Sequence, residues 1–366
     1  MSPRPLRTRV KADPLDLAGI DDMLSAEEKA VRAAVRQVCA SSIDPYVAEW
    51  FESGDLPGIR DLARELGKLG LLGMHLEGYG CAGMSAVDYG LACLELEASD
   101  SGIRSLVSVQ GSLAMFAIWE HGTVEQKQEW LPAMAAGEAI GCFGLTEPDH
   151  GSDPAKMRTR ARRDGDGDIA DWILTGSKMW ITNGSVADVA IIWAQTDDGI
   201  RGFVVPTDTP GFSATLIKHK MSLRASITSE LVLDGVGLPH DAVFPEVRGL
   251  IGPLSCLNEA RYGILWGAMG AARSSFQAAL EYAVSESSSV GRSVGSSSPR
   301  ASWRAWPSTS PPVHCWPCTS GVARTAWGFV LNRSASESST TSPRRWRSVA
   351  PLEPSWVPTE SPWSIP

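Results

Sequence analysis

Between Ser25 and Ser285 the apolar residues of this chain change spacing twice, and after Ser285 they keep none; any fold has to take up those changes in order. As far as Glu138 they recur at helical intervals, punctuated by Gly54, Pro57, Gly73 and Gly80. That spacing predicts helices over Ala26 to Glu52, Gly58 to Leu69, Ser85 to Ala98, Ile103 to Glu120 and Val124 to Ala136. Ser25 and Glu28 form a capping box, in which hydroxyl and carboxylate each satisfy a free N–H of the first turn. From Ala139 to about Val247, short runs typical of strands take over, among them Trp172 to Thr175, Val189 to Ala194, Phe203 to Pro206 and Leu231 to Leu233. One long helix follows over Leu254 to Val284, with Ile264, Leu265, Ala268, Ala271, Phe276 and Leu280 as its expected apolar stripe. The expected class is α+β, with a helical domain over residues 1–138, a β domain over 139–247, a helix within 248–285 and a tail over 286–366.

The tail has neither period. It holds half of the chain's 14 Trp, about a quarter of its own residues are Ser, and it contains no Lys or Asp. A disordered segment is one reading, although such segments are ordinarily poor in Trp and rich in Lys and Glu. Translation in the wrong frame is the other.

Bulk properties fit an intracellular enzyme. The 366 residues carry a formal charge of -9 and are 43% apolar, enough for two or three domains with a sizeable core and unfavourable for nucleic acid. Met1 to Ala18 lacks the apolar run of a signal peptide, and no segment approaches a membrane span, so a cytoplasmic location is expected. Cys39, Cys81, Cys93, Cys142 and Cys256 show no framework spacing and are expected to be reduced. Two small motifs carry no metal expectation. Cys315-Trp-Pro-Cys318 beside His314 sits in the aperiodic tail, and Arg163-Asp-Gly-Asp-Gly-Asp168 lacks the distant Glu of a calcium loop and reads as a polar hairpin turn.

The chemistry concentrates in two short stretches. Phe143-Gly-Leu-Thr-Glu-Pro-Asp-His-Gly-Ser152 lies between strand runs, and Trp180-Ile-Thr-Asn183 follows the next one. A loop carrying Thr146, Gly151 and Ser152 can present hydroxyls and N–H groups to ring edges and phosphates, with Gly allowing close approach. The plainer alternative is a β-turn with a buried Trp.

Gly144-Leu-Thr-Glu-Pro-Asp-His-Gly-Ser-Asp153 and Lys178-Met-Trp-Ile-Thr-Asn183 resemble the two flavin segments of the acyl-CoA dehydrogenase family. Asp100-Ser-Gly-Ile-Arg-Ser-Leu-Val-Ser108, Ser222-Leu-Arg-Ala-Ser226 and Leu257-Asn-Glu-Ala-Arg-Tyr-Gly-Ile264 resemble its glutaryl-CoA dehydrogenase branch. The resemblance covers about residues 15 to 285. It implies a helical domain, a β domain and a C-terminal four-helix domain, of which 248–285 supplies only the first helix. It also implies FAD, usually a homotetramer, and electron-transfer flavoprotein as acceptor. The resemblance assigns Phe143, Leu145, Thr146, Gly151, Ser152, Trp180, Ile181 and Thr182 to the cofactor, with Ser152 also facing the acyl-CoA. It assigns Glu97, Arg104, Ser105, Ser108, Asn258 and Arg261 to the substrate.

Arg104 carries the substrate expectation. A five-carbon diacid thioester ends in a second carboxylate, which an apolar pocket tolerates only when a fork of donors such as guanidinium pairs it. The ordinary alternative is a surface ion pair on a helix. For Asn258 and Arg261 the alternatives are helix capping and a salt bridge. The resemblance implies removal of an α-proton by a carboxylate, hydride transfer to flavin, loss of carbon dioxide and release of crotonyl-CoA. No residue here is assigned as that base. A related branch uses a Glu at the place held by Ala260, and Glu259, one residue away, is turned by roughly 100° on a helix. The branch's own base lies in a Tyr-Glu-Gly-Thr motif absent from this chain. Back-translation from Ser285, read in a shifted frame, permits Arg-Glu-Gln-Phe-Gly-Arg-Pro-Ile-Gly, and near the end Leu-Gly-Ala-Asn-Gly followed by Leu-Glu-Tyr-Pro. Both resemble family motifs in order, so a one-base deletion near Ser285 is expected, and with it aggregation and weak or absent flavin retention. A non-catalytic acyl-CoA or flavin-binding remnant and an oxidase or monooxygenase on the same fold are the alternative functions.

Overall fold

The computed structural model describes Asp16, residues 19–165, Gly167, residues 170–285 and the paired segments Ser287–Ser288 and Gly291–Arg292, without the side chains of 283, 284, 287, 288, 291 and 292. The expectations for His314, Cys315 and Cys318, for the shifted frame and for the tail lie outside these residues.

Seven helices build the first part: α1 (Ala26–Val38), α2 (Val47–Ser53), α3 (Ile59–Lys68), α4 (Ala86–Ser99), α5 (Ser101–Ser108), α6 (Phe116–His121) and α7 (Val124–Ala135). Local chemistry starts several of them. Ser25 with Glu28, Ser85 with Asp88 and Thr123 with Gln126 each close a capping box. The Asp100 carboxylate accepts from Gly102 N–H at 2.6 Å and Ile103 N–H at 3.2 Å, ending α4 and starting α5 within one residue. The helix expected over Ala26 to Glu52 is interrupted by a π-helical segment, Cys39–Ile43, and a turn. A second π-helical segment, Val109–Met115, joins α5 to α6, so the helix expected over Ile103 to Glu120 begins earlier and is continuous only through wider turns.

Seven strands follow: β1 (Gly141–Gly144), β2 (Arg160–Asp164), β3 (Asp171–Thr182), β4 (Val189–Thr196), β5 (Gly199–Pro206), β6 (Phe212–Leu216) and β7 (Thr228–Leu238). They form one sheet in the order β1-β4-β2-β3-β7-β6, with β5 paired antiparallel to β4. β1, β2 and β6 escape the sequence pattern: β1 is four residues of a buried run, β2 is mostly charged, and β6 alternates at a half-buried edge. β2 and β3 pair antiparallel, with Asp164 opposite Asp171; the hairpin turn expected within Arg163 to Asp168 falls partly outside the described residues.

α8 (Ile251–Ser285) then returns to the helical part and lies along α4. Its buried face is Cys256, Ala260, Gly263, Trp266, Gly267 and Gly270, not the stripe expected from hydrophobicity. Ile264 and Leu265 are 48% and 46% exposed, and Ile251, Leu254 and Tyr282 share their exposure. The reason is closeness. A Cβ on Gly270 would stand 2.0 Å from the Leu94 carbonyl oxygen, and a Cβ on Gly263 2.8 Å from the Tyr89 hydroxyl. In return Trp266 covers Gly90, whose own Cβ would fall 2.3 Å from the indole. Two helices this close leave room in their seam for a large side chain only opposite a glycine, as Trp266 lies over Gly90, so much of the apolar bulk of α8, Ile264 and Leu265 included, is left on the other face.

Candidate active site

β1 runs into the loop bearing the first candidate segment, β3 carries the second, and four bonds join them. Met179 N–H donates to the Thr146 carbonyl at 2.8 Å. Lys178 Nζ, fully buried on β3, donates to the Glu147 carboxylate at 2.9 Å and to the Leu145 carbonyl at 3.2 Å. Farther along, the Asn183 amide donates to the Gly141 carbonyl at 3.2 Å. Glu147 also accepts the N–H groups of Arg158 at 2.6 Å and Thr159 at 2.9 Å, closing the loop on itself. Sequence reasoning quoted Glu147 and Lys178 within their motifs but gave them no role. A charged residue in a strand ordinarily signals solvent, so no local pattern marks this pair.

Burial by itself would raise the Glu147 pKa, but donation from Arg158 and Thr159, with Lys178 beside it, brings it down to about 2. Burial pushes Lys178 down to about 8, against the opposing pull of Glu147. The acid side has a clear consequence. A carboxyl whose folded pKa lies below its unfolded 4.5 contributes stability above pH 4.5 and loses it as pH falls through about 2. Glu147 should therefore account for about 3 kcal/mol of lost stability between those limits. Urea unfolding from pH 5 to pH 2 measures it; in Glu147→Gln the slope over this window should flatten.

Phe143, Leu145 and Ile181 are buried beneath the loop, Phe143 with its ring centroid 6.2 Å from that of Trp193. Trp180 is 59% exposed, so a buried Trp in a turn is not what the chain forms. It sits at a register shift in the β3–β7 ladder with φ at +62°, a conformation costly for a bulky residue and kept only where the surroundings impose it. Thr146 and Thr182 are half-buried, and Gly151 and Ser152 exposed. The hydroxyls of Thr146, Ser152 and Thr182 have no protein partner among the described residues. A displayed indole, three available hydroxyls and a loop opened by Gly151 fit a flat heteroaromatic ring with polar edges and a phosphate tail.

A second group of candidates assembles on α4 and α5. Arg104 Nε donates to the Glu97 carboxylate, and each side chain is only 11% exposed. Arg104, Ser105 and Ser108 fall on one face of α5, with Ser108 buried. Gly267 of α8 closes this pair from above: its Cβ would lie 2.7 Å from Glu97 Oε2 and 3.3 Å from Arg104 Nε. The sequence signal for Gly267 was its spacing from Gly263 and Gly270, at steps of four and three along one helix face. The start of α5 is also tied to the first group, since a Cβ on Gly102 would meet Ser226 N at 2.7 Å, and the neighbouring Ile227 carbonyl accepts Asn183 N–H at 2.7 Å.

Asn258 and Arg261 are not brought to that face. Both are exposed and bond to each other at 2.8 Å, and Asn258 precedes Gly267 by two and a half helical turns. Ala260 is buried on the α4 side, while Glu259 is half-buried.

A cleft of about 830 Å³ opens elsewhere, between α1, α4 and α8. Its charged floor is already satisfied, because Glu95 holds Arg36 at 2.8 Å and Arg273 at 2.5 Å.

Comparison with known proteins agrees with this geometry. Residues 25–138 match the signature described as acyl-CoA dehydrogenase, N-terminal domain, and residues 142–236 the one described as acyl-CoA dehydrogenase, middle domain. A short-chain specific acyl-CoA dehydrogenase of Clostridium acetobutylicum is 34% identical over 282 residues, 75% of this chain and 73% of that protein. The chain belongs to the acyl-CoA dehydrogenase family. Acyl-CoA dehydrogenases are FAD-dependent oxidoreductases. A crystal structure of glutaryl-CoA dehydrogenase from Mycobacterium smegmatis superposes with a TM-score of 0.76 and 65% identity, over 79% of this chain and 74% of that one. A second structure of a glutaryl-CoA dehydrogenase from that organism, in complex with FADH2, gives a TM-score of 0.77 and 59% identity over 80% and 74%. The chain spans 63% of the bovine and 54% of the human mitochondrial short-chain acyl-CoA dehydrogenase. Among the described residues, no helix is long and apolar enough to cross a membrane.

Proposed function

We propose that this acyl-CoA dehydrogenase is of the glutaryl-CoA type, an enzyme of the oxidative decarboxylation of glutaryl-CoA to crotonyl-CoA. The observation that carries the reading is the Glu97–Arg104 pair, enclosed beneath Gly267. A guanidinium held at Nε keeps its two terminal nitrogens for a carboxylate, and Glu97 prevents a lone buried cation when the site is empty. The likeness to the Mycobacterium smegmatis enzyme supports it. FAD, when bound, supplies the hydride acceptor; Phe143, Leu145, Thr146, Gly151, Ser152, Trp180, Ile181 and Thr182 hold it. Arg104 with Ser105 and Ser108 orients the far end of the acyl chain. Ser152, Asn258 and Arg261 face the CoA portion. In intact relatives of this type electron-transfer flavoprotein takes the electrons and the enzyme is a cytoplasmic homotetramer; this translation, without the catalytic Glu, is inactive.

The domains divide at residues 138, 247 and 285, with a frame change near Ser285 that removes the carboxylate base from this translation. Ala260 offers no replacement proton acceptor. Sequencing the gene across codons 280 to 300 tests the frame change: an uninterrupted frame with incompatible codons rejects it. In a frame-restored enzyme, Arg104→Leu should remove the preference for glutaryl-CoA over butyryl-CoA, a loss of at least tenfold in relative kcat/KM. A preference that survives would shift the assignment to a short-chain substrate, the reading favoured by the Clostridium relative.

A further inference from the structure

We propose that Lys178 is a positioning residue that polarises the Leu145–Thr146 peptide, aiming Thr146 N–H outward as a strengthened donor for a polar edge of the flavin ring. The inference rests on the cofactor reading above and adds to it a residue that never touches the cofactor. Three facts of geometry carry it. Lys178 Nζ donates to the Leu145 carbonyl at 3.2 Å from a position with no exposure to solvent. That carbonyl belongs to the same peptide group as Thr146 N–H, and the peptide is trans, so the N–H points away from Lys178. Thr146 N–H has no acceptor among the described residues, although Thr146 is half-buried and its carbonyl is taken by Met179 N–H.

A cation on a carbonyl oxygen withdraws electrons through the amide and makes the N–H at its other end a better donor, an effect that a dry interior preserves. Glu147 keeps the ammonium in place from the same loop. On the adjoining strands its neighbours are uncharged. A Cβ on Gly144 would touch both Ile192 of β4 and the Lys178 side chain, and Leu231 of β7 pairs with Lys178 across the ladder. The loop thus receives polarisation without a second charge that could compete for it.

The test uses a labelling property of this sequence. Leu-Thr occurs at two places, Leu145-Thr146 and Leu174-Thr175. Carbonyl-labelled Leu with nitrogen-labelled Thr therefore gives two cross-peaks in a carbon-detected carbonyl–nitrogen spectrum, and the second is an internal control. In Lys178→Met combined with Glu147→Gln, which leaves no unpaired buried charge, the Leu145–Thr146 peak should shift while Leu174–Thr175 stays. FAD affinity, read by flavin fluorescence titration with the same substitutions in the frame-restored enzyme, should fall about tenfold. Should that variant fail to fold, the unsubstituted chain answers by titration: raising the pH from 7 to 9.5 neutralises Lys178, whose burial holds it down to about 8, and should move the same single peak. An immobile Leu145–Thr146 peak, equal movement of both peaks, or unchanged FAD affinity in the variant overturns the proposal. A frame-restored parent without measurable FAD affinity overturns the cofactor reading itself, and with it the role of Lys178, whatever the spectrum shows.

Discussion

Gly270→Val is expected to separate α8 from α4, lowering the stability of the chain by about 3 kcal/mol, the upper end of overpacking penalties. The obstacle is backbone. The first added carbon would stand 2.0 Å from the Leu94 carbonyl oxygen and 3.1 Å from Ala98 N, atoms that cannot rotate away as a side chain could. α4 must stay where it is, because Leu91, Leu96 and Tyr89 are buried in the helical core. α8 must therefore move, and its movement uncovers Trp266 and lifts Gly267 from Glu97 and Arg104. Urea unfolding measures the loss, and limited proteolysis should cut within 251–285 first. Gly237→Ala, where a Cβ meets nothing within 4 Å, is the control and should change stability by less than about 0.5 kcal/mol. A loss below 1 kcal/mol for Gly270→Val would mean that the seam has slack this geometry does not show.

Glu147→Ala should be about as damaging, costing about 3–5 kcal/mol, because it leaves an ammonium without solvent or counter-charge. Two N–H groups, of Arg158 and Thr159, lose their acceptor at the same time. The protein has one escape: Lys178 can shed its proton. In the variant its folded pKa should fall further below the unfolded 10.5, so the deficit should be largest in mild acid and shrink as pH rises toward 9. The paired substitution Lys178→Met with Glu147→Gln should recover most of the loss, since neutral partners of similar shape need no ionic compensation. Equal losses for the single and the double variant, measured by urea unfolding at pH 6 and pH 9, would show that the pair is not coupled.

The two variants act on features of different visibility. Helix starts were written locally: Ser25 with Glu28 specifies a capping box whatever it packs against. The long strands β3, β4, β5 and β7 were visible at least in part, because runs such as Val189 to Ala194 bury both faces. β2 was not, since Arg160 to Asp164 is held in the sheet by pairing with β3 rather than by its own apolarity. The seam of α8 was misjudged for a related reason. Hydrophobicity identifies side chains that can be buried, whereas Gly263, Gly267 and Gly270 bury a backbone.

At the site, sequence supplied the candidates: Thr146, Gly151, Ser152, Trp180 and Thr182 for the proposed cofactor surface, and Arg104 as the proposed partner of a diacid. Their identities alone left a surface ion pair and a plain turn as alternatives; the resemblance of the surrounding motifs supported those readings. Only the tertiary structure decided that Trp180 stands exposed in a strained conformation, that Glu97 and Arg104 close on one another under Gly267, and that Lys178 reaches Leu145 and Glu147 from inside the sheet. Each of those facts joins residues distant in sequence through a contact that depends on how two elements approach. Spacing along the chain records what each element is able to bury; the distance between elements sets which atoms meet.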